Sequence, residues 1–182
     1  GIRNGEIAVF YKNGIVKETA NYKNGVLNGE FIINYENGKV WIKGNYVNGK
    51  VDGECTFYYP TGIIKTIENY KNKKLNGEKS TFNEKGTLYK EANYANGIEN
   101  GEAREYYDSG VVKMSWTYVN GVAQGEFVKY SENGQVKSKG NFVNGKAQDK
   151  GTLTDEKVNS LFNTNGSSFI NVLKNSFSNS DE

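Results

Sequence analysis

The stretch that decides the fold is Asn28-Gly29-Glu30-Phe31-Ile32-Ile33-Asn34-Tyr35-Glu36-Asn37-Gly38-Lys39-Val40-Trp41-Ile42-Lys43-Gly44-Asn45-Tyr46-Val47-Asn48-Gly49. Glu30 to Tyr35 reads as a strand, Glu36-Asn37-Gly38 as a turn, and Val40 to Tyr46 as the return strand. Asn48-Gly49 opens the next turn, because a type I′ hairpin needs positive φ at both central residues and Asn-Gly supplies it. A helix is excluded here, since a glycine about every ten residues costs roughly 1 kcal/mol each in a helix interior.

The stretch is one copy of a repeat, which becomes visible on reading outward. Gly5, Gly29, Gly53, Gly77, Gly101 and Gly125 stand 24 residues apart. Gly14, Gly38, Gly62, Gly86, Gly110 and Gly134 form a second column, and Gly1, Gly25, Gly49, Gly97, Gly121 and Gly145 a third, interrupted by Lys73. These columns hold 18 of the 22 glycines, so the reading makes glycine the punctuation at which the chain reverses. Glu follows the first glycine in all six copies, and Asn precedes the third position in each. An aromatic recurs two residues before that Asn, at Tyr22, Tyr46, Tyr70, Tyr94, Tyr118 and Phe142. Six residues earlier comes an aliphatic column, Val16, Val40, Ile64, Leu88, Val112 and Val136; even spacing predicts that it shares the aromatic column's face.

The expected fold is therefore all-β: an elongated, twisted antiparallel meander of six hairpin repeats over residues 1–148, about 60 Å long at roughly 4.8 Å per strand. From residue 149 the pattern fails, and Thr154 to Phe177 changes period. Val158, Leu161 and Phe162 fit one short helix, and Phe169, Ile170, Leu173 and Phe177 another. A short helical C-terminal cap over 149–182 is expected, shielding the last repeat, with a partner-binding helix as the alternative. Gly1 to Asn4 aligns with Gly25 to Asn28, so the sequence opens in the middle of a turn: either it is a piece of a longer array, or the first strand is an open edge that invites self-association.

Composition agrees with a thin sheet. The apolar fraction is 36% and mean hydropathy −0.73, while aromatics reach 13%, too many for a disordered chain. Basic and acidic residues number 23 and 21 and are interleaved, which favours neither nucleic acid nor an anionic membrane. No apolar run approaches the ~18 residues of a membrane span. Because the sequence opens at Gly1 rather than Met, it is read as a mature or trimmed protein whose targeting segment is gone, exported or at the cell envelope if that segment was a signal. Its Lys, Asn, Ile and Tyr content suggests a bacterial source.

The unit Asn100-Gly101-Glu102 through Tyr106-Tyr107, Gly110, Val112-Lys113 and Asn120-Gly121 resembles the MORN-variant repeat of bacterial proteins. Arrays of it are labelled as YwqK-type antitoxins. The resemblance covers about residues 1–148 and implies a β-hairpin array that acts as an interaction surface. Related repeats also accompany lipid-kinase catalytic domains, but the chain has no kinase signature.

Catalytic motifs are missing from the sequence. It has no histidine and one cysteine, hence no credible zinc site, and no phosphate-binding glycine loop or nucleophile elbow. The Glu column tempts a glycosidase reading, yet a residue found beside its glycine in every copy builds the copy. It is read as a structural ladder paired with Lys17, Lys65, Lys113 and Lys137. A non-enzyme without cofactors is expected. Recognition is assigned to pattern-breakers: Trp41 and Tyr89 replace a recurrent Lys, and Trp116 replaces a small residue. The expected partner is a protein, with a toxin neutralised by contact, or a carbohydrate of the cell wall, as alternatives.

Overall fold

A computed structural model describes residues 1–148. The chain divides into two units, Gly1–Gly151 and Thr152–Glu182, and the described residues lie in the first. The predicted helical cap falls outside the described residues.

All regular structure among the described residues is β. The strands are β1 (Gly5–Phe10), β2 (Val16–Lys23), β3 (Val26–Asn34), β4 (Val40–Val47) and β5 (Lys50–Val51). They continue with β6 (Gly53–Tyr58), β7 (Ile64–Lys71), β8 (Lys74–Phe82), β9 (Leu88–Ala95) and β10 (Ile98–Tyr106). The last are β11 (Val112–Val119), β12 (Val122–Tyr130), β13 (Val136–Val143) and β14 (Lys146–Gln148). They form one 14-stranded sheet in sequence order, every pairing antiparallel, with β5 a short separate piece beside β4. This is the meander of six hairpin repeats expected from the glycine period.

Two kinds of turn alternate. At the Asn-Gly end, Asn48 and Gly49 have φ of 48° and 75°, and the other five copies repeat the pair of positive angles, as a type I′ turn requires. At the opposite end a three-residue loop closes with Tyr11 N–H donating to the Ile15 carbonyl at 2.8 Å, and Gly14 holds φ 83°.

The first glycine column overturns one expectation. It makes no turn: Gly29, Gly77, Gly101 and Gly125 lie inside β3, β8, β10 and β12. Ala20 pairs with Phe31 and Tyr22 with Leu27, so Asn21 alone opposes Asn28, Gly29 and Glu30. Gly29 takes φ 112° within this bulge, and Asn21 Nδ2 donates to the Glu30 carbonyl at 3.0 Å. Glycine is needed because the positive φ disfavours a side chain and the Asn21 Cβ would approach within 3.2 Å.

A second bulge sits on every return strand and corrects the parity argument. Ile33 pairs with Ile42 but Asn34 pairs with Val40, leaving Trp41 as the extra residue. The same shift recurs in all six hairpins. One inserted residue inverts the alternation, so Val16, Val40, Ile64, Leu88, Val112 and Val136 fall on the face opposite the aromatic column.

The core lies on the face of that aromatic column, where Phe31, Ile42, Cys55, Phe127 and Phe142 are buried. Space is made for large rings by small partners on the next strand. Phe31 pairs with Gly44 and packs on Tyr46 at 4.7 Å between centroids, while Phe127 pairs with Gly140 and packs on Phe142 at 4.9 Å.

Consecutive repeats are tied by side chains. Tyr11, Tyr35, Tyr59 and Tyr107 hydroxyls donate to the carbonyls of Asn34, Tyr58, Phe82 and Tyr130 at 2.6, 2.7, 2.9 and 2.8 Å. Each such bond contributes about 1 kcal/mol net. At the other end, the Asn24, Asn48, Asn96 and Asn120 N–H groups donate to the side chains of Asn4, Asn28, Asn76 and Asn100, twenty residues back.

Candidate interaction surface

The sheet offers three places for a partner: the core-side face, the opposite face and the row of turns at each end of the strands. On the core-side face the middle repeats are polar. Glu68, Lys79 and Glu99 stand in columns filled elsewhere by Ala, Gly, Ile, Phe, Leu or Val with few exceptions. Lys79 pairs with Glu68 at 2.9 Å, Lys90 with Glu99 at 3.6 Å, and Lys113 with Glu105 at 2.7 Å. Tyr70 donates its hydroxyl to Glu68 and Tyr94 to Glu99. Lys90 also sits over the rings of Trp116 and Tyr118 at 5.5 and 5.9 Å. These charges are matched among themselves, so the cluster is held together as core.

The sequence reading missed this cluster, although a signal was present: charge at positions where the other repeats are apolar. Burial raises the Tyr46, Tyr70, Tyr94 and Tyr118 phenols above their ordinary range, and for Tyr70 the Glu68 carboxylate adds to it. Burial likewise pushes the Cys55 thiol up to about 12, which leaves it an inert packing group.

The opposite face carries the Glu column, exposed throughout. Its cations are different from those expected. Lys43 meets Glu30 at 2.7 Å, Arg104 meets Glu102 at 2.7 Å, and Lys139 meets Glu126 at 3.4 Å. Lys17 and Lys113 instead pair with Glu18 and Glu105. Being the bulged residues, they are re-aimed away from the Glu column. Lys65 lies over the Tyr59 ring at 5.6 Å.

The three recognition candidates fall in separate places. Trp41 and Tyr89 occupy the bulge position of their return strands. Trp41 is half-buried with its indole tilted against Tyr35 at 5.7 Å, in the manner of Lys65 on Tyr59. Tyr89 is 44% exposed. Trp116 does not fit the expectation of an exposed anchor, because only 3% of it is accessible. Thr117 stands where other repeats have Asn, and the bulge there slips by one residue so that Trp116 alone faces Gly125 to Phe127. The indole fills the widened site on the core side.

The type I′ turn row is the surface that sequence reasoning did not single out. Residues flanking these turns project beyond the sheet: Val26, Val47, Ile98, Val119, Val122 and Val143 are all between 39 and 51% exposed. Each aliphatic that follows a turn leans on the next turn's glycine, Val26 on Gly49, Ile98 on Gly121 and Val122 on Gly145, which spaces them along one line. Among the described residues no group of three or more His, Cys, Asp or Glu could hold a metal ion, and no helix is long and apolar enough to cross a membrane.

A single-sheet β-hairpin array with serial turn contacts defines a repeat scaffold, of the kind that presents a surface. The model of the MORN repeat variant matches six times, at residues 3–24, 27–48, 51–72, 75–96, 99–120 and 123–144, and the chain belongs to this family. No curated protein matches it. MORN repeats are in general non-enzymatic scaffolds that interact with proteins or membranes.

Proposed function

We propose that the array is a non-catalytic protein-interaction scaffold that receives its partner along the type I′ turn row. The observation that carries this reading is the line of exposed aliphatic side chains Ile98, Val119, Val122 and Val143, which flank the fourth, fifth and sixth type I′ turns, with Val26 and Val47 beside the first two. Apolar groups aligned on a rigid frame are pre-organised, so little ordering entropy opposes docking.

A photo-crosslinking amino acid placed at Val119 should capture one defined protein in the native cell, and the same group at Ala8 on the opposite face should not. Recombinant partner should then bind the chain in calorimetry and lose at least about tenfold in affinity on Val119→Asp with Val122→Asp, as expected for anchors worth ~1–2 kcal/mol each. Equal capture from Ala8, or unchanged affinity of the double variant, removes the reading.

The antitoxin role suggested by YwqK-type arrays is the same physical act with a toxic protein as partner. Rescue of cell growth on co-expression with the captured protein would support it. Trp41 and Tyr89 remain candidate contacts of a second, aromatic surface, tested by Trp41→Ala and Tyr89→Ala in the same calorimetry. The carbohydrate reading keeps only one partly accessible tryptophan, Trp41, and loss of all binding to wall glycans by that variant is its test. Self-association through the outer edge of β1 predicts concentration-dependent sedimentation that a Val9→Pro substitution abolishes.

A further inference from the structure

The third type I′ turn departs from its five counterparts in three ways at once. Lys73 replaces glycine and holds φ 69°, a left-handed conformation that an L side chain adopts at a cost. Lys71 and Lys74 are directly paired across the ladder, and like charges in that relation repel. Lys50, from the preceding turn, reaches over and donates to Asn72 Oδ1 at 3.3 Å, which brings a fourth ammonium beside the other three. All four lysines are exposed, and none is in an ion pair with a carboxylate among the described residues. The Asp52 carboxylate is used by the turn itself, its Oδ2 accepting the Asn72 N–H at 3.0 Å. The left-handed lysine and the like-charge pair lower local stability, and with Lys50 they concentrate positive charge at one tip.

The charge peaks at this turn and falls away along the row. The first two turns are flanked by one lysine and one valine each, Lys23 with Val26 and Val47 with Lys50, and the third by lysines alone. The fourth and fifth carry Ala95 with Ile98 and Val119 with Val122, and the sixth Val143 with Lys146. We propose that this row binds an extended polypeptide segment of its partner, acidic residues on the lysine-bearing turns and aliphatic residues on the turns that follow. The proposal rests on the scaffold reading above and names the partner's chemistry. Turn tips recur about every 10 Å, close to three residues of extended chain at ~3.3 Å each, so one strand-like segment keeps step with the row. An anionic membrane is the poorer fit. Charge over the whole chain is nearly balanced, with 23 basic and 21 acidic residues, and the lysines cluster at one tip, which suits a short acidic segment better than an extended anionic plane.

The test uses the full chain and a short fluorescein-labelled peptide with glutamates in its first half and valine and leucine in its second. A scrambled peptide of the same composition and vesicles of phosphatidylserine and phosphatidylcholine are the comparisons. Fluorescence anisotropy should show binding of the ordered peptide, weakened by salt, with amide shifts in the nuclear magnetic resonance spectrum centred on Lys71 to Lys74. Lys73→Gly should raise the melting temperature by about 2–4 °C and yet weaken peptide binding roughly two- to fivefold. Lys50→Gln, Lys71→Gln and Lys74→Gln together should weaken it at least about tenfold, and Lys12→Gln with Lys137→Gln should not.

Equal binding of the scrambled peptide, or an unaffected lysine variant, would overturn the proposal. Vesicle binding that needs the same lysines in the absence of peptide binding would overturn it too. A partner crosslinked from Val119 whose affinity ignores all four lysines would sink the acidic-segment assignment alone and leave the scaffold standing. Failure to crosslink at Val119 would remove the scaffold reading itself.

Discussion

Gly44→Ala tests whether the core really depends on rings lying across glycines. A Cβ at Gly44 would stand 2.5 Å from Cys55 Sγ and 2.8 Å from two ring atoms of Phe31. Phe31 and Cys55 are both 0% exposed, so neither can swing into solvent to relieve the contact. Overpacking of this kind costs about 1–3 kcal/mol, against which the stiffer unfolded chain of alanine returns ~0.4–1 kcal/mol. A net loss of about 1–2 kcal/mol corresponds to a melting temperature lower by roughly 2–8 °C for a chain of this size. Circular dichroism melts of wild type, Gly44→Ala, Cys55→Ala and the double variant form a cycle. The double variant should recover about 1 kcal/mol of the Gly44→Ala loss, since the shortest contact is to the sulfur. Gly53→Ala provides the contrast: nothing lies within 4 Å of that Cβ and its φ is 92°, so its penalty comes from the backbone and should be indifferent to Cys55. A Gly44→Ala protein that melts at or above the wild-type temperature, or a strictly additive cycle, would refute the packing argument.

Three further outcomes are expected. Tyr59→Phe removes the 2.9 Å bond to the Phe82 carbonyl and should lower stability by about 0.5–1.5 kcal/mol in urea melts, whereas Tyr58→Phe, with no such bond, should change it by less than about 0.5 kcal/mol. Glu68→Leu strands the Lys79 ammonium and the Tyr70 hydroxyl and should cost about 3 kcal/mol; adding Lys79→Met and Tyr70→Phe should return most of it. The raised phenols mean that above the unfolded tyrosine pKa, about 10, the folded chain holds protons the unfolded chain has released. Stability from these groups is therefore complete below pH ~10 and should fall as pH rises beyond it, with ionisation at 295 nm appearing together with unfolding; gradual ionisation of a still-folded chain would contradict this.

The hairpin topology was legible because a type I′ turn demands Asn-Gly chemistry and the demand recurs with the repeat. The first glycine column was misread as a turn because positive φ serves a bulge as well as a reversal, and only the pairing of Ala20 with Phe31 and Tyr22 with Leu27 separates the two. The bulge at Trp41 defeated the face assignment in the same way, since counting by twos has no means of seeing one extra residue. Trp116 looked like a surface anchor because its column is otherwise mostly small, but the slipped bulge opposite it makes room inside. The lysine turn was half visible: Lys73 stood out as the missing glycine, while the arrival of Lys50 beside it needed the sheet register.

Every tie between repeats reaches only the adjacent copy, as the tyrosine hydroxyls and asparagine amides do at offsets of 23 and 20 residues. Duplication or excision of a whole copy therefore leaves each donor with an acceptor. Loss of a single residue would put out of step only the ties that span it, and the copies beyond would keep theirs. Such a chain can change length in units of one copy, and with it the number of tips offered to a partner.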